Sequence, residues 1–208
     1  MQEKIPFIEY MKDVYGKEVY TGDPRFPLKA FYEKIRDCQK CALSKTRHHL
    51  VFGAGDPEAD ILFVGEAPGQ QEDLSGIPFV GRAGKLLDNV LAETGISRDD
   101  VFIANVLKCR PPQNRDPLPE EIATCETYLH RQIELIRPKI IVALGRIAAN
   151  TLLRESNSLK SMRGRTYRYH DTDLRVTYHP AAILRNNNMY ELLKNDLQEV
   201  VEHVNTLC

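Results

Sequence analysis

The stretch from Ile61 to Gly69 constrains the fold more than any other part of the sequence. Its first four residues are all apolar, and such a short run is typical of a strand that is buried on both faces. Two glycines and a proline follow within five residues and end the strand in a tight turn. Ligands of open α/β sheets bind beyond the carboxyl ends of the strands, so the pattern predicts a site at this turn. An ordinary strand-to-loop turn has the same pattern, and G-x-x-x-G alone does not distinguish the two.

Further strands and helices alternate along the chain after this turn. Buried strands are predicted over residues 101–106 and 139–145, and two alternating segments, 166–169 and 174–178, indicate a hairpin. Helices are predicted between and after them, at 28–36, near 86–91, at 120–137 and at 190–204. Buried strands separated by helices form parallel sheets with helices on both faces. We therefore predict a three-layer α/β/α fold with a short, mainly parallel central sheet of about four strands.

The chain has 208 residues, which suffices for one sizeable core. We predict a single α/β domain over residues 31–208 and an N-terminal extension over residues 1–30, with a short amphipathic helix within residues 5–15. The composition is that of a soluble globular protein, with 42% hydrophobic and 27% charged residues. No apolar run approaches the ~20 residues of a membrane helix, and five charged residues within residues 1–15 argue against a signal peptide. These features predict a cytoplasmic protein without a membrane anchor.

The charge distribution permits a small contact with a polyanion but not an extensive one. The net charge is −1, and basic residues form local clusters in two loops. One loop contains Arg110 and Arg115; the other contains Lys160, Arg163, Arg165 and Arg168. This pattern favours an enzyme that acts on nucleic acid over a protein that coats it.

Four of the five cysteines form a pattern suited to metal binding. Cys38 and Cys41 form a C-x-x-C motif, and Cys109 and Cys125 follow after a long gap. A C-x-x-C in a cytosolic chain is either redox-active or half of a metal site, and four thiolates suit a [4Fe–4S] cluster or a structural zinc ion. Four unrelated thiols remain an alternative, since Cys125 in a helix can be a packing residue. Cys208 at the C-terminus is interpreted as a bystander.

Polar side chains stand at or near three predicted strand ends. They are Glu66, Asn105 and His179, and neighbouring parallel strands would bring them to one crevice. Each has an ordinary alternative: a carboxamide after a strand is often a turn former, and a histidine before proline often caps a loop. Their joint placement favours a site.

The sequence resembles the family 4 uracil-DNA glycosylases, the iron–sulfur branch of the uracil-DNA glycosylase superfamily. The resemblance extends from about Cys38 to the C-terminal helix. It rests on the four cysteines together with these residues and motifs: Gly65-Glu-Ala-Pro-Gly69, Gly81-Arg-Ala-Gly84, Asn105, Lys108-Cys109-Arg-Pro-Pro112 and His179-Pro-Ala-Ala-Ile-Leu-Arg185.

The resemblance implies how a uracil flipped out of DNA would be recognised. Phe79 would stack on the base, and Asn105 would accept a hydrogen bond from N3–H and donate one to O4. Cytosine reverses both polarities and would leave buried groups unpaired. Glu72 is the expected wall against the methyl group of thymine. The backbone of a turn would contact the rim of the base, at Gly65, Glu66 and Ala67.

The resemblance also implies roles in catalysis, DNA binding and cofactor binding. His179 would stabilise the anionic leaving base at O2. Ala67 stands where many relatives carry a water-activating aspartate, so that Glu66 or Glu72 would serve, or leaving-group stabilisation would suffice. Leu184 would be the apolar wedge that fills the space of the flipped base. Arg185 would lie near phosphate, and the expected ligands of a structural [4Fe–4S] cluster are Cys38, Cys41, Cys109 and Cys125. Arg115 and Arg163, from the two basic loops, are further expected DNA-binding residues.

The predicted substrate is uracil-containing single- or double-stranded DNA, and the predicted state is a monomer. Two alternatives remain: a glycosylase of a related branch with another base specificity, and a non-catalytic iron–sulfur or zinc module that binds DNA. Asn105 and His179 disfavour the second alternative, because a binding module needs neither.

Overall fold

The computed structural model describes residues 27–207, so that the predicted N-terminal helix and Cys208 lie outside the described residues. Within residues 27–207, six strands form one sheet. In chain order they are β1 (Ala54–Gly55), β2 (Ile61–Gly65), β3 (Phe102–Asn105), β4 (Ile140–Leu144), β5 (Thr166–Tyr169) and β6 (Thr172–Thr177). Their spatial order is β1-β3-β2-β4-β6-β5.

The four inner strands, β3, β2, β4 and β6, are parallel, and the two edge strands are antiparallel to their neighbours. The expected number of about four strands therefore fits the parallel part alone and is wrong for the whole sheet. The predicted hairpin is confirmed as β5 and β6. The additional strand, β1, has only two residues, which is too short for an apolar periodicity to be recognised.

Eight α-helices surround the sheet in the described part of the chain: α1 (Pro27–Ile35), α2 (Gln70–Ser75), α3 (Arg82–Glu93), α4 (Pro119–Ile136), α5 (Arg146–Leu153), α6 (Leu159–Met162), α7 (Pro180–Ile183) and α8 (Tyr190–Thr206). The predicted long helix is confirmed as α4. It ends before Pro138, where Arg137 adopts a left-handed conformation with φ of 54°.

Two separate hydrophobic clusters lie on the two faces of the sheet. Leu62 and Val64 of β2 belong to one cluster, and Ile61 and Phe63 belong to the other, because successive side chains of a strand point to opposite faces. The first cluster packs against α1, α4 and α5, and the second packs against α3 and α8. The predicted three-layer α/β/α arrangement is thereby confirmed.

The parallel register aligns the carboxyl ends of the inner strands at one edge of the sheet. Gly65 at the end of β2 pairs with Asn105 at the end of β3, and Leu144 of β4 pairs with Thr177 of β6. The loops that leave these strands therefore meet at this edge. None of the helices within residues 27–207 has the length and apolar character needed to span a membrane.

Candidate active site

A cavity of about 390 Å³ opens at the carboxyl edge of the parallel strands. Its size is in the range of small-molecule sites. Eight of the residues singled out in the sequence line it: Glu66, Ala67, Glu72, Phe79, Asn105, Arg115, His179 and Arg185. The loops at the carboxyl ends of the strands thus bring together side chains that are up to 119 positions apart in the chain, from Glu66 to Arg185.

Asn105 provides a buried acceptor at the floor of this cavity. Only 2% of the residue is exposed, and its Oδ1 has no hydrogen-bond partner among the described residues. A buried acceptor left without a donor costs about 1–3 kcal/mol. A ligand that offers an N–H group at this position would remove that cost.

Gly65 allows Asn105 and Phe79 to approach each other. A Cβ at Gly65 would clash with Oδ1 of Asn105 and would lie 2.7 Å from Cζ of Phe79. Even alanine at this position would therefore displace the floor of the cavity. The glycine is required by close approach, because its φ is not in the left-handed region.

Phe79 is held in a strained conformation by hydrogen bonds on both sides. Its φ is 53°, in the left-handed region that is costly for an aromatic residue, and only 5% of it is exposed. Oε1 of Glu72 accepts from the backbone N–H groups of Val80 and Gly81, at 2.9 and 2.8 Å. Arg98 donates to the carbonyl of Pro78 at 2.7 Å. Glu72 therefore braces the Phe79 loop, a role that the sequence did not indicate.

His179 is a neutral imidazole with a defined tautomer. Its Nδ1 accepts the backbone N–H of Ala181 at 3.1 Å at the start of α7, so that the ring proton is on Nε2. Burial, aided by the positive charge of Arg185, lowers the pKa of His179 to about 4. The ring lies 5.4 Å from that of Phe79, centroid to centroid. The site thus has an N–H donor that carries no charge at neutral pH.

Glu66 is the ionisable group of the site that titrates near neutrality. Burial, with a smaller contribution from the negative charge of Asp116, raises the pKa of Glu66 to about 7, and Arg146 opposes the shift. Asp116 and Arg146 lie 3.7 Å apart, measured between Oδ2 and Nη2. Glu66 can therefore exchange a proton at physiological pH.

The exposed pair Leu184 and Arg185 is called the mouth of the cavity: Arg185 lines the cavity and Leu184 precedes it in the chain, and both are predicted DNA contacts. Both are exposed, Leu184 to 41%, and they follow α7 directly. Arg115 also lines the cavity, but both of its terminal nitrogens donate to the carboxylate of Glu121, at 2.9 and 2.6 Å. This ion pair shapes the loop before α4.

Arg163 lies outside the residues that line the cavity. Its Nε donates to Asp196 at 2.6 Å, its Nη2 donates to the carbonyl of Leu192, and its guanidinium stacks over Tyr178. Its function as a DNA contact stays a prediction, and the structure shows it packing the loop before β5 against α8.

The four cysteines lie on one side of the sheet. Cys38 and Cys41 follow α1, Cys109 follows β3, and Cys125 lies on α4; all four are free thiols at or within one hydrophobic cluster. Cys41 is close enough to both Cys109 and Cys125 for a negative charge on one thiol to raise the pKa of another. The fold thus brings together the C-x-x-C motif and the two later cysteines.

Three of these sulfurs already accept hydrogen bonds. Tyr128 donates to Sγ of Cys38 at 3.1 Å, Arg47 to Cys109 at 3.1 Å, and the backbone N–H of Lys108 to Cys125 at 3.2 Å. Burial nevertheless raises the pKa of the Cys125 thiol to about 12, so that a bound cation is needed to hold it as a thiolate. Within residues 27–207, no group of three or more His, Cys, Asp or Glu side chains is arranged to hold a metal ion.

Sequence reasoning assigned no role to three residues around the site. Asp116 raises the pKa of Glu66 and Arg146 lowers it. The sequence could have indicated Arg146, because it lies just beyond the end of β4, as Glu66 lies just beyond the end of β2. Lys108 is fully buried behind Asn105. Burial lowers the pKa of Lys108 to about 8, and the thiols of Cys125 and Cys109 oppose the shift.

The model of the uracil DNA glycosylase superfamily matches residues 52–205, which include every residue that lines the cavity. The chain belongs to the uracil DNA glycosylase superfamily. Type-4 uracil-DNA glycosylases are similar over most of its length. That of Archaeoglobus fulgidus is 47% identical over 177 residues, which is 81% of this chain and 89% of that protein.

Two further type-4 uracil-DNA glycosylases show the same level of similarity. That of Saccharolobus solfataricus is 47% identical over 179 residues, covering 82% of this chain and 83% of that protein. That of Sulfurisphaera tokodaii is 46% identical over 184 residues, covering 84% of each. The resemblance to the type-4 branch that the motifs indicated is confirmed. The superfamily match itself begins after Cys38 and Cys41, so this cysteine pair lies outside it.

Proposed function

We propose that the protein removes uracil from DNA by hydrolysing the bond between the base and its deoxyribose. The observation that carries this proposal is the unpartnered, buried Oδ1 of Asn105 at the floor of the cavity. Uracil presents N3–H to this acceptor, and its O4 accepts from the amide nitrogen of the same side chain. Cytosine has an acceptor at N3 and a donor amino group at position 4, so it would leave both the oxygen and the nitrogen of the carboxamide unpaired.

Phe79 and Glu72 complete the recognition of the base. The ring of Phe79 is the aromatic surface on which uracil stacks, and its strained φ is maintained by the two hydrogen bonds to Glu72. The carboxylate of Glu72 lines the same cavity and limits the space beside the base. A methyl group at C5, as in thymine, would meet this wall.

His179 stabilises the leaving group. When the bond between C1′ and N1 breaks, its electron pair leaves with the base, which becomes an anion with charge at O2. The Nε2–H of the neutral imidazole donates to O2, because Nδ1 is already occupied by the N–H of Ala181. A neutral donor suits this role, since the pKa of about 4 keeps the ring uncharged at physiological pH.

Glu66 is better placed than Glu72 to activate water. Oε1 of Glu72 accepts two backbone hydrogen bonds, whereas the pKa of Glu66 is close to neutrality. In this scheme the water oxygen bonds to C1′ and its proton passes to the Glu66 carboxylate. Ala67, which follows directly, cannot take that proton.

Leu184 and Arg185 contact the DNA around the flipped nucleotide. Leu184 is a large exposed apolar side chain that precedes the cavity-lining Arg185, and it fills the space left in the stack. Arg185 lies at the mouth, and its positive charge suits a phosphate. Arg115 and Arg163 contribute further positive charge through their loops. The proposed substrate includes single- and double-stranded DNA, and we propose a monomer acting in the cytoplasm.

The four cysteines hold a structural [4Fe–4S] cluster in this proposal. The donor set fits, because it consists of four thiols, three of which accept hydrogen bonds that stabilise a thiolate. Four thiolates are the usual ligand set of such a cluster, and a structural zinc ion is the alternative that they would suit. The cluster would join α1, the segment after β3 and α4, and hydrolysis needs no electrons from it.

The test of the function is incubation with a uracil-containing oligonucleotide, followed by alkaline cleavage at abasic sites. We expect cleavage at uracil and none in matched oligonucleotides with cytosine or thymine at that position. Cleavage only at another deaminated base would support a related branch instead. Binding without cleavage would support a DNA-binding module.

The test of the cluster is the metal content of protein purified without oxygen. We expect brown protein that contains iron and acid-labile sulfide. Cys125→Ser should lose iron, because a buried hydroxyl does not replace a thiolate ligand, and Cys208→Ser should keep it. Colourless, active protein that contains zinc would contradict the proposed cluster.

A further inference from the structure

Lys108 is completely buried between the floor of the cavity and the cysteines. Its Nζ donates to the backbone carbonyl of Asn105 at 2.8 Å and to Oε1 of Gln132 at 2.6 Å. Neither acceptor is charged. An ammonium group buried without a counter-charge is costly, so its position requires an explanation beyond packing.

Gln132 is oriented to serve this lysine. It is fully buried on α4, and its Nε2 donates to the backbone carbonyl of Phe52 at 2.9 Å. This bond directs the amide oxygen toward Lys108. The ammonium is therefore held at one point by two acceptors from different elements, β3 and α4.

The ionisable side chains next to Lys108 belong to two cysteines. Cys109 follows Lys108 directly in the chain, and the backbone N–H of Lys108 donates to Sγ of Cys125 at 3.2 Å. Free thiols are neutral and supply no negative charge. Thiolates supply it once they are metal ligands.

We propose that Lys108 is a positioning residue that couples the cysteine set to base recognition. Its ammonium would balance the negative charge of the thiolates that hold the cluster. The same ammonium holds the backbone carbonyl of Asn105, so that the side-chain carboxamide of Asn105 faces the base. This role rests on the proposed function. It predicts that loss of one charge weakens both the cluster and the excision of uracil.

The test is Lys108→Met in the full chain, which keeps the apolar stem and removes the charge and both hydrogen bonds. The matched control is Lys139→Met, which removes a surface lysine that pairs with Asp60 at the opposite edge of the sheet. Three quantities are measured on cluster-containing protein: the rate of iron release to a chelator, the single-turnover rate of uracil excision, and the affinity for abasic-site DNA.

We expect Lys108→Met to release iron about tenfold faster and to excise uracil about tenfold more slowly, the usual effect of losing a group that orients metal ligands. Its affinity for abasic-site DNA should equal that of the wild type, because Leu184 and Arg185 are untouched. Lys139→Met should match the wild type in all three.

A change in only one of the two rates would overturn the coupling. Wild-type rates in the folded fraction of a less stable Lys108→Met would also overturn it, since they would show a packing role alone. If Lys108→Met does not fold, Lys108→Gln is judged by the same two rates. A wild type without iron or without excision contradicts the proposed function itself, before any variant is compared.

Discussion

Asn105, Phe79 and His179 at the floor of the cavity are held by the protein itself, whereas Leu184 and Arg185 at its mouth are exposed. The floor depends on strand register, on a glycine that permits close approach, and on hydrogen bonds to backbone groups that hold the conformation of Phe79 and the tautomer of His179. The mouth consists of a loop that follows a four-residue helix. We expect the floor to determine the rate and base selection, and the mouth to determine DNA affinity.

The largest test of this division is His179→Ala. The single-turnover excision rate should fall by roughly 100- to 1000-fold, the usual loss for one donor to a developing oxyanion. Affinity for abasic-site DNA should change little, because it depends on the mouth. The matched control is His203→Ala, whose imidazole contacts Asp173 on β6. If the folded fraction of His179→Ala kept the full rate, His179 would only cap α7.

Asn105→Asp tests base selection at the floor. The carboxylate still accepts from N3–H but no longer donates to O4, so uracil excision should fall by roughly 10- to 100-fold. Discrimination against cytosine should fall as well, since a protonated aspartate presents the reverse pattern. Asn114→Asp changes an exposed asparagine that lines the same cavity and serves as the control. Unchanged excision by Asn105→Asp would show that Asn105 is only a turn former.

Glu66 also lines the cavity, and its effect on the pH dependence of excision is the smallest of the three expected effects. Above pH 7 its carboxylate form dominates, so the wild-type rate should rise with pH and level off above about 7. Glu66→Gln should remove this rise and lower the plateau roughly tenfold, less than the usual effect of a general base because the positively charged sugar is easily attacked. The pKa of His179, about 4, keeps that ring from titrating in this range.

Two neighbours of Glu66 provide controls of opposite sign. Asp116→Asn removes a negative charge that raises the pKa of Glu66, so the midpoint of the pH profile should move to lower pH. Arg146→Gln removes a positive charge that lowers it, and the midpoint should move to higher pH. Equal profiles in all four proteins would exclude Glu66 as the titrating group.

The same raised pKa affects stability in a defined direction. Between about pH 4.5 and pH 7 the folded protein keeps a proton on Glu66 that the unfolded chain has lost, so this residue makes folding less favourable as pH rises through that range. The thermal unfolding midpoint of Glu66→Gln, relative to that of the wild type, should accordingly increase as the pH is raised from 5 to 8.

Much of the site was predictable because it follows from rules that act over short distances in the chain. A buried apolar run followed by glycine and proline locates the end of β2, and the parallel register then implies that Glu66, Asn105 and His179 converge. The number of strands was underestimated, because β1 has two residues and its pairing with β3 leaves no periodic pattern. The cysteine pattern was equally visible, since the spacing of cysteines is a property of the sequence.

By itself, the sequence determined the α/β class, the edge of the sheet that carries the site, and the identity of the side chains that meet there. Only the tertiary structure decided what each of them does. Glu72 holds a loop by hydrogen bonds, whereas Glu66 has a pKa near neutrality. Lys108 donates to the backbone carbonyl of Asn105 and to Gln132, which is 24 residues from Lys108 in the chain. Gln132 in turn donates to the carbonyl of Phe52, 80 residues away. Burial and hydrogen-bond partners set a side chain's charge and orientation, and both depend on residues that are distant in the chain and adjacent only in the fold.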